Sequence, residues 1–146
     1  MTNPINLSGN AIATTWREGD WIYKQQPKHF TQNEYYALTH PALHKYTPGC
    51  AKLDDEKICM TDIQTELVTD AAAFLSHYWL VLHALKSAGL RHGDLTEPHV
   101  LVVNNRPIII DWAESRLWDD PRPDKRIEGD AYWLRKTMEA LCQSET

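Results

Sequence analysis

Arg91-His92-Gly93-Asp94-Leu95-Thr96-Glu97-Pro98-His99, followed by Val100 to Val103, Asn104-Asn105-Arg106, Pro107 to Ile110 and Asp111-Trp112, is the stretch whose reading decides the fold. A polar loop comes first. Two apolar, β-branched runs follow, Val100 to Val103 and Pro107 to Ile110, separated by residues that suit a tight turn. That pattern predicts a β-hairpin. A hairpin returns the chain to its starting end, so Asp94 before it and Asp111 after it are expected to share one cleft.

Upstream, apolar residues at Ala71, Phe74, Leu75, Tyr78, Leu82 and Leu85 recur at helical spacing. Thr69 or Asp70 is a fitting cap and Gly89 a fitting stop, which makes this the longest expected helix. Downstream, Asp130 is expected to cap a last helix carrying Leu134, Met138 and Leu141. The first third reads as short strands. Ala11 to Trp16 and Trp21 to Gln25 flank Glu18-Gly19-Asp20, and Ala51 to Leu53 and Lys57 to Met60 flank Asp54-Asp55-Glu56, giving two more hairpins. Between them Thr31 could cap a helix from about Gln32 to Thr39, before Pro41 stops it. The polar link from Asp62 to Glu66 is a candidate hinge, and a cleft beside it a natural ligand site.

Composition narrows the function classes. The chain has 146 residues and 42% hydrophobic residues, enough for one domain with one main core. A formal net charge of -5 disfavours a broad phosphate-backbone binder, so no direct nucleic-acid binding is expected. The run Pro121-Arg122-Pro123-Asp124-Lys125-Arg126 is basic but short, and reads as a solvated loop diluted by Asp119 and Asp120. Cys50, Cys59 and Cys142 are odd in number and lack metal spacing, which points to a reducing compartment. No secretion signal is visible, and the most apolar segment, Ala71 to Leu85, is too short and too interrupted to span a bilayer. A soluble, cytoplasmic protein is expected. Pro41 breaks the helical spacing of His40 and His44, which argues against a zinc site there. Neither a G-x-S-x-G elbow nor a Walker loop is present.

Phosphoryl transfer asks little of a protein: an acidic side chain near the attacking hydroxyl, a second carboxylate for the metal, and a cation on the phosphates. The metal is usually magnesium, which prefers carboxylate oxygen. His92-Gly93-Asp94-Leu95, His99, and Ile108-Ile109-Ile110-Asp111-Trp112 supply that layout, and the stretch resembles the catalytic and metal loops of the protein-kinase-like superfamily. The form His92-Gly93-Asp94-Leu95-Thr96-Glu97 is similar to that of RIO kinases and of the small kinase of the tRNA threonylcarbamoyladenosine machinery. Aminoglycoside and choline phosphotransferases and lipopolysaccharide-core kinases share the His-Gly-Asp form. Asp124-Lys125 with Asp130-Ala131-Tyr132-Trp133-Leu134 resembles the segment that enters the next helix in such kinases.

The resemblance implies an α+β, minimal bilobal kinase-like fold, with a small antiparallel-sheet N-lobe over residues 1–63 and a truncated helical C-lobe over residues 64–146. It implies ATP and Mg2+ as cofactors and a serine/threonine protein kinase as the activity. Asp94 would be the catalytic aspartate, Asp111 the metal aspartate, and Asp130 the acid holding the catalytic loop. Lys24 would contact the phosphates with Glu34 as its ion-pair partner. Gly9, in Ser8-Gly9-Asn10, would begin a reduced phosphate-covering loop, and Met60 to Ile63 would contact adenine through backbone groups. Two departures stand out. His99 occupies the place where such kinases carry a metal-binding Asn, and no G-x-G-x-x-G is present. Imidazole suits magnesium less well than an amide oxygen, so His99 is a metal ligand, a hydrogen-bonding residue or a mark of weakened catalysis. These departures keep two other readings open: a pseudokinase or minimal ATPase that regulates a partner protein, and a small-molecule or lipopolysaccharide-sugar kinase.

Overall fold

The computed structural model describes residues 5–6 and 13–143. Among these, the sheet of the first half runs in the order β1-β2-β3-β5-β4: Ile5–Asn6, Thr14–Glu18, Trp21–Gln25, Lys57–Thr61 and Cys50–Asp54, all antiparallel. The β2–β3 hairpin closes over Gly19-Asp20, where Glu18 pairs with Trp21 and Gly19 takes a φ of 63°. Only glycine adopts that turn conformation without a Cβ penalty. Ala11 and Ile12, expected at the start of β2, lie outside the described residues. Helix α1 spans Lys28–Thr39 and packs against β4 and β5.

Helix α1 begins a turn earlier than the sequence suggested, and Thr31 does not cap it. The Pro27 carbonyl accepts from Phe30 N and Thr31 N, so Pro27 stands at the cap position. A proline there gives up no helical hydrogen bond and enters with φ already near the helical value. Thr31 is instead fully buried inside the helix.

The expected central helix is two segments, α2 (Ala71–Leu75) and α3 (His77–Ala88). The Ser76 hydroxyl donates to the Ala73 carbonyl between them, the kind of local bond that bends helices. Asp70 caps α2 by accepting from Ala73 N, and Gly89 ends α3 in the left-handed conformation. Short strand β6 (Leu90–Arg91) then leads into the polar loop. The predicted hairpin is present as β7 (Val100–Val103) and β8 (Arg106–Ile109), joined by Asn104-Asn105 at φ 50° and 58°. These positive angles match the right-handed twist of the strands, and Asn is among the few residues that tolerate them. Strand β9 (Arg116–Leu117) pairs with β6, and α4 (Asp130–Gln143) closes the structure.

One core joins the sheet to the helices. Leu38 of α1, Ile58 and Met60 of β5, Phe74 of α2, Val81 and Leu85 of α3, Val100 and Ile109 of the hairpin, and Leu134 and Met138 of α4 belong to a single apolar cluster. Trp112 is the largest fully buried side chain, and its indole N–H donates to the Ile109 carbonyl. Burying it directly after Asp111 fixes where that carboxylate points. No helix among the described residues is long and apolar enough to cross a membrane, and all three cysteines are free.

Candidate active site

The loop before the hairpin is built around two buried or half-buried groups. His92 is 2% exposed; its Nδ1 accepts from Asp94 N at 3.1 Å and its Nε2 donates to the Ile110 carbonyl at 2.9 Å. Those roles require a neutral ring protonated on Nε2, and burial pulls the His92 pKa down accordingly. One imidazole thus ties the approach to Asp94 to the approach to Asp111. From the other side, Asp130 accepts from His92 N at 2.8 Å and Gly93 N at 2.9 Å. Asp130 is the first residue of α4, and its carboxylate serves this loop rather than acting as a simple end cap. Gly93 has a φ of 92°, a backbone conformation that calls for glycine, although a Cβ there would meet the Asp124 side chain at an ordinary contact distance of 3.4 Å.

Lys24 comes from β3, Glu34 from α1 and Asp111 from the end of the hairpin, and the three meet. Lys24 Nζ lies 3.1 Å from Glu34 Oε1 and 2.9 Å from Asp111 Oδ1. Glu34 is fully buried and also accepts from Gln26 Nε2 at 2.9 Å and Trp112 N at 3.0 Å. Burial alone would lower the Lys24 pKa, but the Glu34 and Asp111 carboxylates outweigh it and hold the ammonium above its usual range. Next to Glu34 on α1, Asn33 Nδ2 donates to the Ala113 carbonyl at 3.0 Å, a second latch between α1 and the segment after Asp111.

His99 spans the two loop acids. Its Nδ1 donates to the Asp94 carbonyl at 2.7 Å, and its Nε2 stands 2.9 Å from Asp111 Oδ2. An oxygen acceptor faces each ring nitrogen, an arrangement that favours a proton on both. Burial opposes this charge, but the bonds to Asp111 and Asp94 dominate and raise the His99 pKa. In this arrangement His99 serves Asp111 as a hydrogen-bonding partner. Asp111 adopts a φ of 65°, uncommon outside glycine but tolerated by Asp. His99 and Lys24 drive its pKa well below the carboxylate range, against the effect of burial. Asp111 offers the carboxylate oxygens that a hard cation such as magnesium prefers, and Lys24 and His99, each 2.9 Å away, would have to yield them to it. Among the described residues no group of three or more His, Cys, Asp or Glu side chains is placed to hold a metal by itself. Magnesium at nucleotide sites characteristically uses one or two carboxylates with phosphate and water.

Asp94 is held by cations from the segment before α4. Arg126 Nε donates to Asp94 Oδ1 at 3.0 Å, and Lys125 Nζ is 3.5 Å from Oδ2. Burial would raise the Asp94 pKa, but these cations with His99 hold it below its ordinary value, so the carboxylate stays ionised. The expected solvated loop is corrected here: Lys125 and Arg126 turn toward the site. Lys24, Asp94, His99, Asp111 and Lys125 all line one polar cavity of about 230 Å³. A larger cavity, of about 610 Å³, lies behind the loop between α3 and the 118–131 segment, but its lining is mainly apolar and includes Asp130 but not Asp94, Asp111, Lys24 or His99.

Met60 and Ile63 do not border the polar cavity. Met60 is paired in mid-sheet with Ile22 and Cys50, which commits its backbone to the strand ladder, while Ile63 follows in open coil. Gly9, with Ser8 and Asn10, lies outside the described residues. The residues that sequence reasoning missed are Gln26, which braces Glu34, His92 as the tie between the loops, and Lys125 with Arg126 on Asp94. Only the basic run 121–126 carried a signal, and its direction depended on tertiary packing.

No protein-family model matches the sequence, and no curated protein sequence matches it. Solved structures do. The chain is similar to the Rio2 kinase–ADP/Mg2+–phosphoaspartate complex from Chaetomium thermophilum, with a TM-score of 0.63 at 14% identity over 97% of this chain and 53% of that one. It is also similar to WbdD with its C-terminal bundle ordered, with a TM-score of 0.64 at 15% identity over 99% of this chain and 36% of that one. A further match is WbdD bound to the kinase inhibitor LY294002, with a TM-score of 0.55 at 14% identity, over 94% and 45%. The chain thus has a minimal protein-kinase-like fold, and it spans about half the length of the Rio2 structure or less of the others.

Proposed function

We propose that this chain is an ATP- and Mg2+-dependent phosphotransferase that transfers a phosphoryl group to a hydroxyl, with serine or threonine of a protein as the acceptor read from the sequence. Residues 1–63 act as an N-lobe and 64–146 as a truncated C-lobe, hinged at the Asp62 to Glu66 link. The observation that carries the reading is the convergence of Asp94, Asp111 and Lys24 on one polar cavity. Asp94 orients the acceptor hydroxyl and takes its proton. Lys24, steadied by Glu34, offsets charge on the nucleotide phosphates. Asp111 is the residue that would hold magnesium, which when bound supplies charge neutralisation at the phosphate oxygens. The Rio2 structure, a complex with ADP and Mg2+, supports the cofactor assignment by analogy of fold.

The His99–Asp111 pair favours a second reading, a nucleotide-binding module that regulates a partner with little turnover, because a proton-bearing ring already neutralises the metal-holding acid. Nucleotide titration with and without magnesium, on the wild type and Asp111→Ala, tests the site. Magnesium-dependent binding lost in the variant is expected. Binding that ignores both the metal and the substitution overturns the assignment of Asp111. Phosphoryl transfer unchanged in Asp94→Ala would remove Asp94 from the mechanism, and transfer abolished by it would set aside the second reading.

A further inference from the structure

Two neighbouring cations of the basic run, Lys125 and Arg126, sit on the acceptor side of the site in a defined way. Arg126 N donates to the Gly93 carbonyl at 3.1 Å, and its guanidinium lies over the Trp133 ring, 5.2 Å from the centroid. Trp133 is itself fixed by donating to Glu128 Oε1 at 2.7 Å. Other arginines nearby have partners of their own: Arg122 forms a forked pair with Asp120, Arg91 faces Asp124 at 3.7 Å, and Arg116 donates to the Pro123 carbonyl. Among the described residues, Asp94 is the one carboxylate that Lys125 and Arg126 pair with.

The cations on the two sides of the cavity are held differently. On the nucleotide side, Lys24 is held between Glu34 and Asp111, and His99 Nε2 also rests on Asp111. On the acceptor side, Lys125 and Arg126 pair with Asp94, and Glu114 lines the same cavity. The donors are also available: Lys125 is 62% exposed and Arg126 42%, and Arg126 uses only Nε on Asp94, which leaves its Nη edge without a partner among the described residues. A guanidinium edge beside an ammonium matches the geometry and charge of a phosphate or carboxylate.

We propose that Lys125 and Arg126 form an anion subsite beside Asp94, selecting acceptors whose reactive hydroxyl is flanked by a phosphate or carboxylate group. The inference rests on the phosphotransferase reading and adds the acceptor class to it. In the reaction the acceptor oxygen bonds to the γ-phosphorus, the bond from that phosphorus to the β–γ bridging oxygen breaks, ADP leaves, and the hydroxyl proton passes to Asp94. Lys125 and Arg126 form no bond; they hold the neighbouring anion and so set which hydroxyl is presented.

Calorimetric titration tests this with matched pairs: glycerol 3-phosphate against glycerol, and a serine peptide flanked by aspartates against one flanked by asparagines. The proteins are the full chain, Lys125→Gln and Lys125→Gln/Arg126→Gln, each with and without ADP and magnesium. The anionic member of at least one pair is expected to bind wild type roughly ten-fold tighter, an advantage that shrinks with added salt and falls below about three-fold in the double variant. The pair that discriminates identifies the source of the anion. Lack of discrimination in both pairs, or an advantage that survives in the double variant, overturns the proposal. If the double variant does not fold, Lys125→Gln decides, since that side chain is mostly solvated: a fall of about three-fold or more supports the subsite and no fall overturns it. Magnesium-dependent ADP binding in the same samples reports on the phosphotransferase reading separately, because the anion preference is also measured without nucleotide.

Discussion

Replacing Glu34 by Ala strips three donors of their shared acceptor: Lys24 at 3.1 Å, Gln26 at 2.9 Å and the Trp112 amide at 3.0 Å. Glu34 is fully buried, and the lysine side chain is only 12% exposed. Removing one member of a buried ion pair costs roughly 3–5 kcal/mol, and an orphaned buried amide roughly 1–3 kcal/mol. Lys24 keeps Asp111 at 2.9 Å, which limits the first cost. The net expectation is a loss of about 3–5 kcal/mol, or a fall in Tm on the order of 10 °C for a domain of this size. Glu34→Gln keeps the volume and one acceptor, but its amide N–H₂ must face either the ammonium or the Trp112 amide, so about 1–3 kcal/mol is expected. Urea and thermal unfolding at neutral pH measure both. A double-mutant cycle with Lys24→Met should give a coupling of roughly 1–3 kcal/mol, because the second substitution removes the stranded charge. A loss below about 1 kcal/mol for Glu34→Ala, or strictly additive costs in the cycle, would refute the view that one carboxylate joins β3, α1 and the loop after Asp111.

Asp130→Ala deletes the acceptor of the His92 and Gly93 amides and is expected to cost roughly 2–4 kcal/mol, while also loosening the loop that carries Asp94. Amide exchange at residues 92 and 93 should quicken in that variant, and unchanged protection would count against it. The fold favours neutral His92, whose pKa lies below the ordinary value of about 6.5, so its contribution is fully present above about pH 6.5 and lost as pH falls through the lower folded value. Nitrogen NMR should find the neutral Nε2–H tautomer at pH 7, and an imidazolium there would contradict the loop geometry. His99, raised in pKa, acts in the opposite direction, which is why the two rings are best read individually. Asn104→Ala, at φ 50°, should cost about 1 kcal/mol in a melt, whereas Asn104→Gly should stay within about 0.5 kcal/mol. Equal costs would argue against a left-handed turn.

The sequence by itself determined the hairpin that carries the site. The β-branched runs on either side of Asn104-Asn105 leave little choice of local structure, and a hairpin of that length must return Asp111 to the end where Asp94 begins. It also bounded the helical region, between a cap at Thr69 or Asp70, of which the structure uses Asp70, and a stop at Gly89, because capping is a local matter of one side chain and one backbone angle. The start of α1 and the bend at Ser76 escaped because Pro27 and Ser76 act through backbone hydrogen bonds that periodicity does not register. Tertiary structure alone decided the partners of the charges. Lys24, Glu34 and Asp111 are far apart in the chain, and nothing local states that the sheet, α1 and the hairpin will bury them together. The same holds for Lys125 and Arg126, which a local reading leaves in water and the packed chain turns onto Asp94. A charge's destination depends on which carboxylate is desolvated within a few ångströms of it, and only the folded core fixes that distance.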